Sequence, residues 1–109
     1  MLEREFQKKV IELAHMFGWK IAHFRTAINA RGVHMTPVAA DGKGWPDLVL
    51  VHPGRGVVLF RELKSDTGRL DPHQIAWGEW LLACGMDWGM WKPKDWDTIV
   101  GVLGGGRAT

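Results

Sequence analysis

Two carboxylates and a lysine stand at strand-like spacing near the middle of the chain: Asp47, then Glu62 and Lys64. Asp47 closes the stretch Gly44-Trp45-Pro46-Asp47. Glu62-Leu63-Lys64 follows after two apolar runs, 48–51 and 57–60. The segment His52-Pro53-Gly54-Arg55-Gly56 between the runs is turn-like, so the unit reads as a β-hairpin. A two-residue tip at Gly54-Arg55 pairs Val51 with Val58, Val49 with Phe60, and Asp47 with Glu62. Opposed residues hold their Cβ atoms about 4.5–5.5 Å apart. Alternation puts Lys64 on the same side as both acids. A slip of one residue would set Asp47 opposite Arg61 and dissolve the cluster. Two acids this close repel each other unless a cation lies between them or one takes up a proton. A divalent metal ion is the simplest remedy, and a neighbouring lysine suits hydrolytic chemistry. The plain structural alternative is a salt-bridged sheet end.

The elements that position these groups lie on either side. Residues 2–17 read as an amphipathic helix, with Leu2, Phe6, Val10, Leu13, Ala14 and Phe17 on one face. Arg4, Glu5, Lys8, Lys9 and Glu12 occupy the other, and Gly18 ends the helix. Glu3 breaks the partition, because it falls in line with Val10 and Phe17, with Gln7 beside it. A carboxylate facing a core is costly unless paired or bound to a metal. A first-turn acid also favours the helix dipole and can bend out to water, so both readings stand. Residues 19–24 alternate as a strand, with Trp19, Ile21 and His23 on one face. Residues 26–44 form a long polar stretch without clear periodicity. It and its edge carry Arg25, Arg31, His34 and Lys43, which suit either a phosphate-gripping loop or an ordinary surface loop.

The hairpin is apolar on both faces, which predicts a sheet covered by helices on both sides. Asp71-Pro72-His73-Gln74 has a helix-start signature: Asp71 as N-cap, Pro72 at the first position, Gln74 closing a capping box. Ile75, Ala76, Trp80, Leu81 and Cys84 carry that helix to Gly85. Residues 86–91 read as a further strand. Pro93 breaks the chain, and Asp95 starts a short helix through Leu103. The order helix, strand, hairpin, helix, strand, helix predicts an α/β fold, a small mixed sheet flanked by helices. One domain is expected over 1–103 and a disordered glycine-rich tail over 104–109.

A chain of 109 residues suits one domain, and its 46% hydrophobic and 24% charged content is that of a globular protein. The net charge of +2 provides no overall basic field, so nucleic-acid affinity would have to come from local clustering. The one cysteine, Cys84, excludes a disulfide framework within the chain, which points to a reducing cytosol. Its apolar surroundings in sequence predict a buried thiol. No run approaches membrane-spanning length, and the charged N-terminus does not resemble a signal peptide. Seven tryptophans and no tyrosine are unusual. Trp88, Trp91 and Trp96 fit an interface or a filled core equally well.

Pro46-Asp47, a gap, then Glu62-Leu63-Lys64 resembles the PD-(D/E)xK nuclease signature. Gly44-Trp45-Pro46-Asp47-Leu48-Val49 matches the G-x-P-D-(L/I) form of the VRR-NUC branch, the virus-type replication-repair nucleases. Glu3 on a preceding helix, and Gln74 and Trp77 on a following one, fit the same pattern, so the resemblance runs from Glu3 to about Leu103. It implies a restriction-endonuclease-like core and a Mg²⁺- or Mn²⁺-dependent DNA endonuclease. Asp47, Glu62 and the main-chain carbonyl of Leu63 would be the metal ligands, and Glu3 would join directly or through water. Lys64 would orient the attacking water, and Gln74 would be an accessory residue, with capping as its rival role. Trp77 is expected in the core. Arg25, Lys43, Arg69 and His73 flank the cluster and are the expected DNA contacts. Small members of the branch further imply branched DNA such as Holliday junctions as substrate, homodimers, and a phage setting in a bacterial cytoplasm. The alternative function is a nuclease-fold DNA-binding or replication-accessory module that does not cut.

Overall fold

The computed structural model describes residues 1–24, 31 and 38–105, together with the backbone of 27, 28, 34 and 35. The first amphipathic run forms α1, Glu3–Met16, whose buried residues Phe6, Val10 and Ala14 recur every four positions, as one core-facing stripe requires. Leu2 and Phe17, expected on that stripe, are exposed. They are the two caps, where the chain leaves the helical arc. Next come β1 (Lys20–His23), β2 (Ala27–Ile28), β3 (His34–Met35), β4 (Leu48–His52), β5 (Val57–Leu63), α2 (Pro72–Ala83), β6 (Asp87–Trp91) and α3 (Trp96–Leu103). The antiparallel pair β2–β3 lies within the stretch expected to be irregular. Two-residue strands are too short to show any periodicity.

The main sheet has the order β1-β4-β5-β6. β1, β4 and β5 run antiparallel, and β6 returns parallel to β5 after the α2 crossover. The hairpin register is the expected one, with Val51 opposite Val58 and Val49 opposite Phe60. Its tip is longer than two residues. His52 pairs with Val57, and the loop 53–56 is closed by Arg55 N–H donating to the His52 carbonyl at 3.1 Å and Gly56 N–H to that of Pro53 at 3.2 Å. One residue added on each side lengthens the loop without moving the register.

Leu48, Leu50, Leu59 and Leu63 are fully buried on one face, against Phe6, Val10 and Ala14 of α1 and Ile99, Val102 and Leu103 of α3. Arg61 shares this face, a buried cation that its sequence position did not announce. It pairs with Asp87 at 2.8 Å, donates to the Asp87 carbonyl, and lies over the Trp91 ring at 4.8 Å. It therefore clasps β5 to β6. The other face is covered only in part, contrary to expectation. α2 packs on β6, leaving Val58 41% exposed. α2 is itself apolar all round, and Ile75, Trp80 and Leu82 stay exposed while Leu81 is buried. Cys84 is exposed as well, correcting the buried thiol. It is the C-cap of α2, past the cover of the sheet.

A 3-10 turn, Pro93–Asp95, leads into α3, with Asp95 as the N-cap that precedes Trp96. Gly104 N–H donates to the Val100 carbonyl at 2.9 Å and closes α3, and the rest of the expected tail, 106–109, lies outside the described residues. No helix among the described residues is long and apolar enough to cross a membrane.

Gly78 is the close approach that lets α2 rest on the sheet. A Cβ there would lie 2.6–2.7 Å from the Trp88 ring, so the ring or the helix would have to shift. Gly78→Ala is therefore expected to destabilise the fold by about 1–3 kcal/mol through overpacking, despite the better helix propensity of alanine. Urea unfolding measures this, and a stabilised variant would contradict the packing described.

Candidate functional site at the sheet end

The β4–β5 ladder ends at Leu48 opposite Arg61. One step further, side chains take over from backbone. Asp47 N–H donates to Glu62 Oε1 at 2.9 Å, and Leu63 N–H donates to Asp47 Oδ2 at 2.8 Å. The expected opposition of the two acids is thus present, and each is oriented by the other's strand. On its far side Asp47 is held by β1, because its carbonyl accepts from Phe24 N–H at 2.8 Å. Asp47 is thus held from both sides, by the residue that follows β1 and by β5.

Glu62 is fully buried, and its Oε2 is buried without a hydrogen-bond partner. A charged oxygen left so is costly. Burial, and then repulsion from Asp47, push the Glu62 carboxyl up to about 8, against an opposing pull from Lys64. Lys64 continues the β5–β6 ladder, its N–H donating to the Trp91 carbonyl at 3.1 Å. Among the described residues no ion pair joins its side chain to either acid. It is nonetheless near enough to act electrostatically on Glu62 and Glu3.

Glu3 also arrives at this end of the sheet. It and Asp47 line one cavity of about 740 Å³, with Gln7, Lys8, His23 and Phe24 among the other walls. Its side chain stays largely open to water. Partial desolvation raises its pKa, with Lys64 opposing and Asp47 adding to the rise. The first turn of α1 therefore overhangs the site rather than the core, which is why an acid is tolerated at an apolar position of the helical wheel.

Gln74 sits at the start of α2 and is engaged in capping. Its Oε1 accepts from Asp71 N–H at 2.9 Å, and its own N–H donates to Asp71 Oδ1 at 3.0 Å. Asp71, Pro72 and Gln74 thus have the expected capping roles, and no hydrogen bond carries Gln74 to the acids among the described residues. Lys43, Arg69 and His73 are exposed, while Arg25 lies outside the described residues. Lys43 and His73 share one shoulder because Gly44 packs directly on the His73 backbone.

That packing gives the Gly-x-Pro-Asp stretch a physical reason. Gly44 has φ 89°, and a Cβ on it would lie 2.4 Å from the His73 carbonyl carbon. Only glycine meets both demands. Trp45 then turns inward against Phe60 and Trp77, with ring centroids 5.9 and 5.0 Å away. Buried Pro46 delivers Asp47 to the sheet end. Trp77 is half-buried, its Nε1 donating to the Asp41 carbonyl at 3.0 Å, so it also ties this loop to α2. Phe24, Trp45 and Lys8 were not singled out by sequence reasoning. The neighbourhood of Phe24 and Trp45 to charged strand ends was the available signal.

The donor set fits a hard divalent cation. Two carboxylates are pre-oriented, and one buried oxygen lacks a partner. Among the described residues no three acid, histidine or cysteine side chains converge into a closed cage. Mg²⁺ needs none, since it commonly takes one or two carboxylates and keeps several waters.

A mixed sheet with paired acids at one end defines a class of α/β domain, and comparison with known proteins narrows it. No protein-family model matches the chain, and no curated protein matches it. A solved structure described as a VRR_NUC domain superposes with a TM-score of 0.63 over 92% of this chain and 96% of that one, at 24% sequence identity. The chain therefore has the fold of a VRR_NUC domain, as its motifs led one to expect.

Two outcomes follow for the metal-free protein. Between the ordinary 4.5 of an unfolded glutamate and about 8, the folded state binds more protons at Glu62 than the unfolded state does. Stability should therefore be full below pH ~4.5 and fall as pH rises through ~8. Thermal unfolding in EDTA across that range measures this, and Glu62→Gln should flatten the slope. Gly44→Ala should destabilise by at least about 1–2 kcal/mol from the left-handed backbone alone. A variant as stable as wild type in urea would contradict the loop–helix contact.

Proposed function

We propose that this chain is a divalent-metal-dependent DNA endonuclease. The observation that carries the reading is the Asp47–Glu62 pair, fixed by reciprocal backbone hydrogen bonds with one buried oxygen unpartnered. The fold likeness and the Pro-Asp and Glu-x-Lys motifs support it. Asp47 and Glu62 would hold Mg²⁺ or Mn²⁺ with the Leu63 carbonyl, and Glu3 would join through water. The ion would supply Lewis-acid activation of water and neutralise charge on the phosphoryl oxygens.

The protein's own residues do the rest. Asp47 is immobilised by β1 and β5, so the reacting groups are positioned before substrate arrives. Burial and then Asp47 hold the Glu62 carboxyl up at about 8, so without a cation it stays largely protonated at neutral pH. Lys64, on the same side and not tied up in an ion pair with either acid, offsets charge that builds on the phosphoryl oxygens and orients the attacking water. Glu3 borders the cavity beside Asp47 and adds negative charge to its cation-binding side. Lys43 and His73 on one shoulder, and Lys8 across the cavity, provide cationic or hydrogen-bonding groups for the phosphate backbone. Gln74 acts indirectly, by starting α2 where Gly44 can rest.

We extend the reading to branched DNA, where a symmetric dimer would present two sites to a four-way junction. Linear, flap and four-way substrates, each with Mg²⁺, Mn²⁺ or EDTA, test both levels. Cleavage should require the metal and favour branched substrates. Asp47→Ala and Lys64→Ala should each lower the rate by about 10²-fold or more, with the circular dichroism spectrum retained. Cleavage by a folded Asp47→Ala protein at the wild-type rate would overturn the assignment. Tight, salt-sensitive binding without cleavage under any metal would favour a binding module.

A further inference from the structure

A second cavity lies beside the first and is built differently. It is about 390 Å³ and is lined by Phe24, Val38, Ala39, Ala40, Trp45 and Trp77, among others. Phe24 lines both cavities, so the two adjoin at its side chain. Trp45 stands two residues before Asp47, at most about 7 Å along the chain. The rings form a continuous row. Phe24, Trp45, Trp77 and Trp80 meet edge-to-face at centroid distances of 5.9, 5.0 and 5.2 Å, and the row ends at exposed Trp80. The Trp45 Nε1 is buried in this region with no hydrogen-bond partner. The opposite wall is Val38, Ala39, Ala40, Asp41 and Gly42, and Ala40 is held there at φ 59°, a costly conformation for alanine. Core tryptophans normally fill their space. Here aromatic rings border a cavity next to two acids.

We propose that this cavity receives one unpaired nucleobase of the DNA strand being cut, next to the scissile phosphate. The proposal rests on the nuclease reading above and names the feature of the substrate that the site selects. A phosphate drawn to a cation at Asp47 and Glu62 would bring its neighbouring sugar and base toward the aromatic cavity, because Phe24 lines both that cavity and the one that Asp47 borders. A base inside an intact duplex is stacked and paired and cannot enter. A base at a flap, gap or junction is free to do so. Aromatic stacking serves any base, so the cavity selects for lack of pairing and not for sequence.

Two measurements test this, one independent of cleavage. With Ca²⁺ in place of Mg²⁺, an oligonucleotide carrying 2-aminopurine at an unpaired position should lose fluorescence on binding the wild-type protein, through stacking. The same probe inside a full duplex should not. The quench should be lost in Trp77→Leu. In the presence of Mg²⁺, cleavage of a substrate with unpaired nucleotides at the cut should weaken about five- to 150-fold in KM when the receiving nucleotide is made abasic. Trp77→Leu should produce a similar rise, and the two changes together should not add. The abasic substrate keeps the test valid if the variant fails to fold. An unquenched unpaired probe, or cleavage by the wild-type protein with KM unchanged by abasic sites on either side of the cut, would overturn the proposal. Quenching without cleavage of any substrate would leave the pocket standing and refute the nuclease reading instead.

Discussion

The structure depends on a hydrogen-bond exchange one step beyond the last pair of a β-ladder. Asp47 lends its carboxylate to the Leu63 N–H, and Glu62 lends its own to the Asp47 N–H. The exchange continues a backbone ladder with side chains, so it is as well aligned as the sheet itself. It also brings two acids together and leaves a buried oxygen of Glu62 unpartnered. A stable core alone would not call for that arrangement, since an apolar pair at the same place would avoid the desolvation of both acids. Here the leucine-lined face provides the stability, and the sheet end holds the charges.

The remaining elements follow from having to reach that end. β1 pins the Asp47 carbonyl through Phe24. The first turn of α1 overhangs the opening with Glu3. The loop before Asp47 rests on the start of α2 through Gly44, and the reciprocal capping of Asp71 and Gln74 fixes where that start lies. Capping and site-building are therefore linked. A residue that only closes a helix still sets the height of the loop that delivers the acid. Arg61 works on the opposite face, joining β5 to β6 so that Glu62 and Lys64 keep their register.

The hairpin was legible in the sequence because its alternation admits one register that gathers the charges. A longer tip leaves that register unchanged, since 53–56 is symmetric about the same midpoint. Glu3 was legible as a violation of helical periodicity. Other features were hidden for physical reasons. α2 is apolar around its whole circumference, so periodicity did not reveal which side faces water, and Cys84 and Trp80 were found exposed. β2 and β3 are below the length at which any period shows. The Gly44–His73 contact spans 29 positions and depends on how loop and helix meet, which local pattern does not encode. The aromatic row off the Asp47 wall likewise draws Phe24, Trp45 and Trp77 from three separate segments.

The central claim is that the unpartnered Glu62 oxygen exists for a divalent cation, and proton release on metal binding tests it most directly. Calorimetric titration of the protein with Mn²⁺ at pH 7, in two buffers of different ionisation enthalpy, counts the protons displaced. With the Glu62 carboxyl held up at about 8, binding should release about one proton per ion, and Glu62→Gln should abolish that release. Binding without proton release, or no binding to the wild-type protein, would contradict the account.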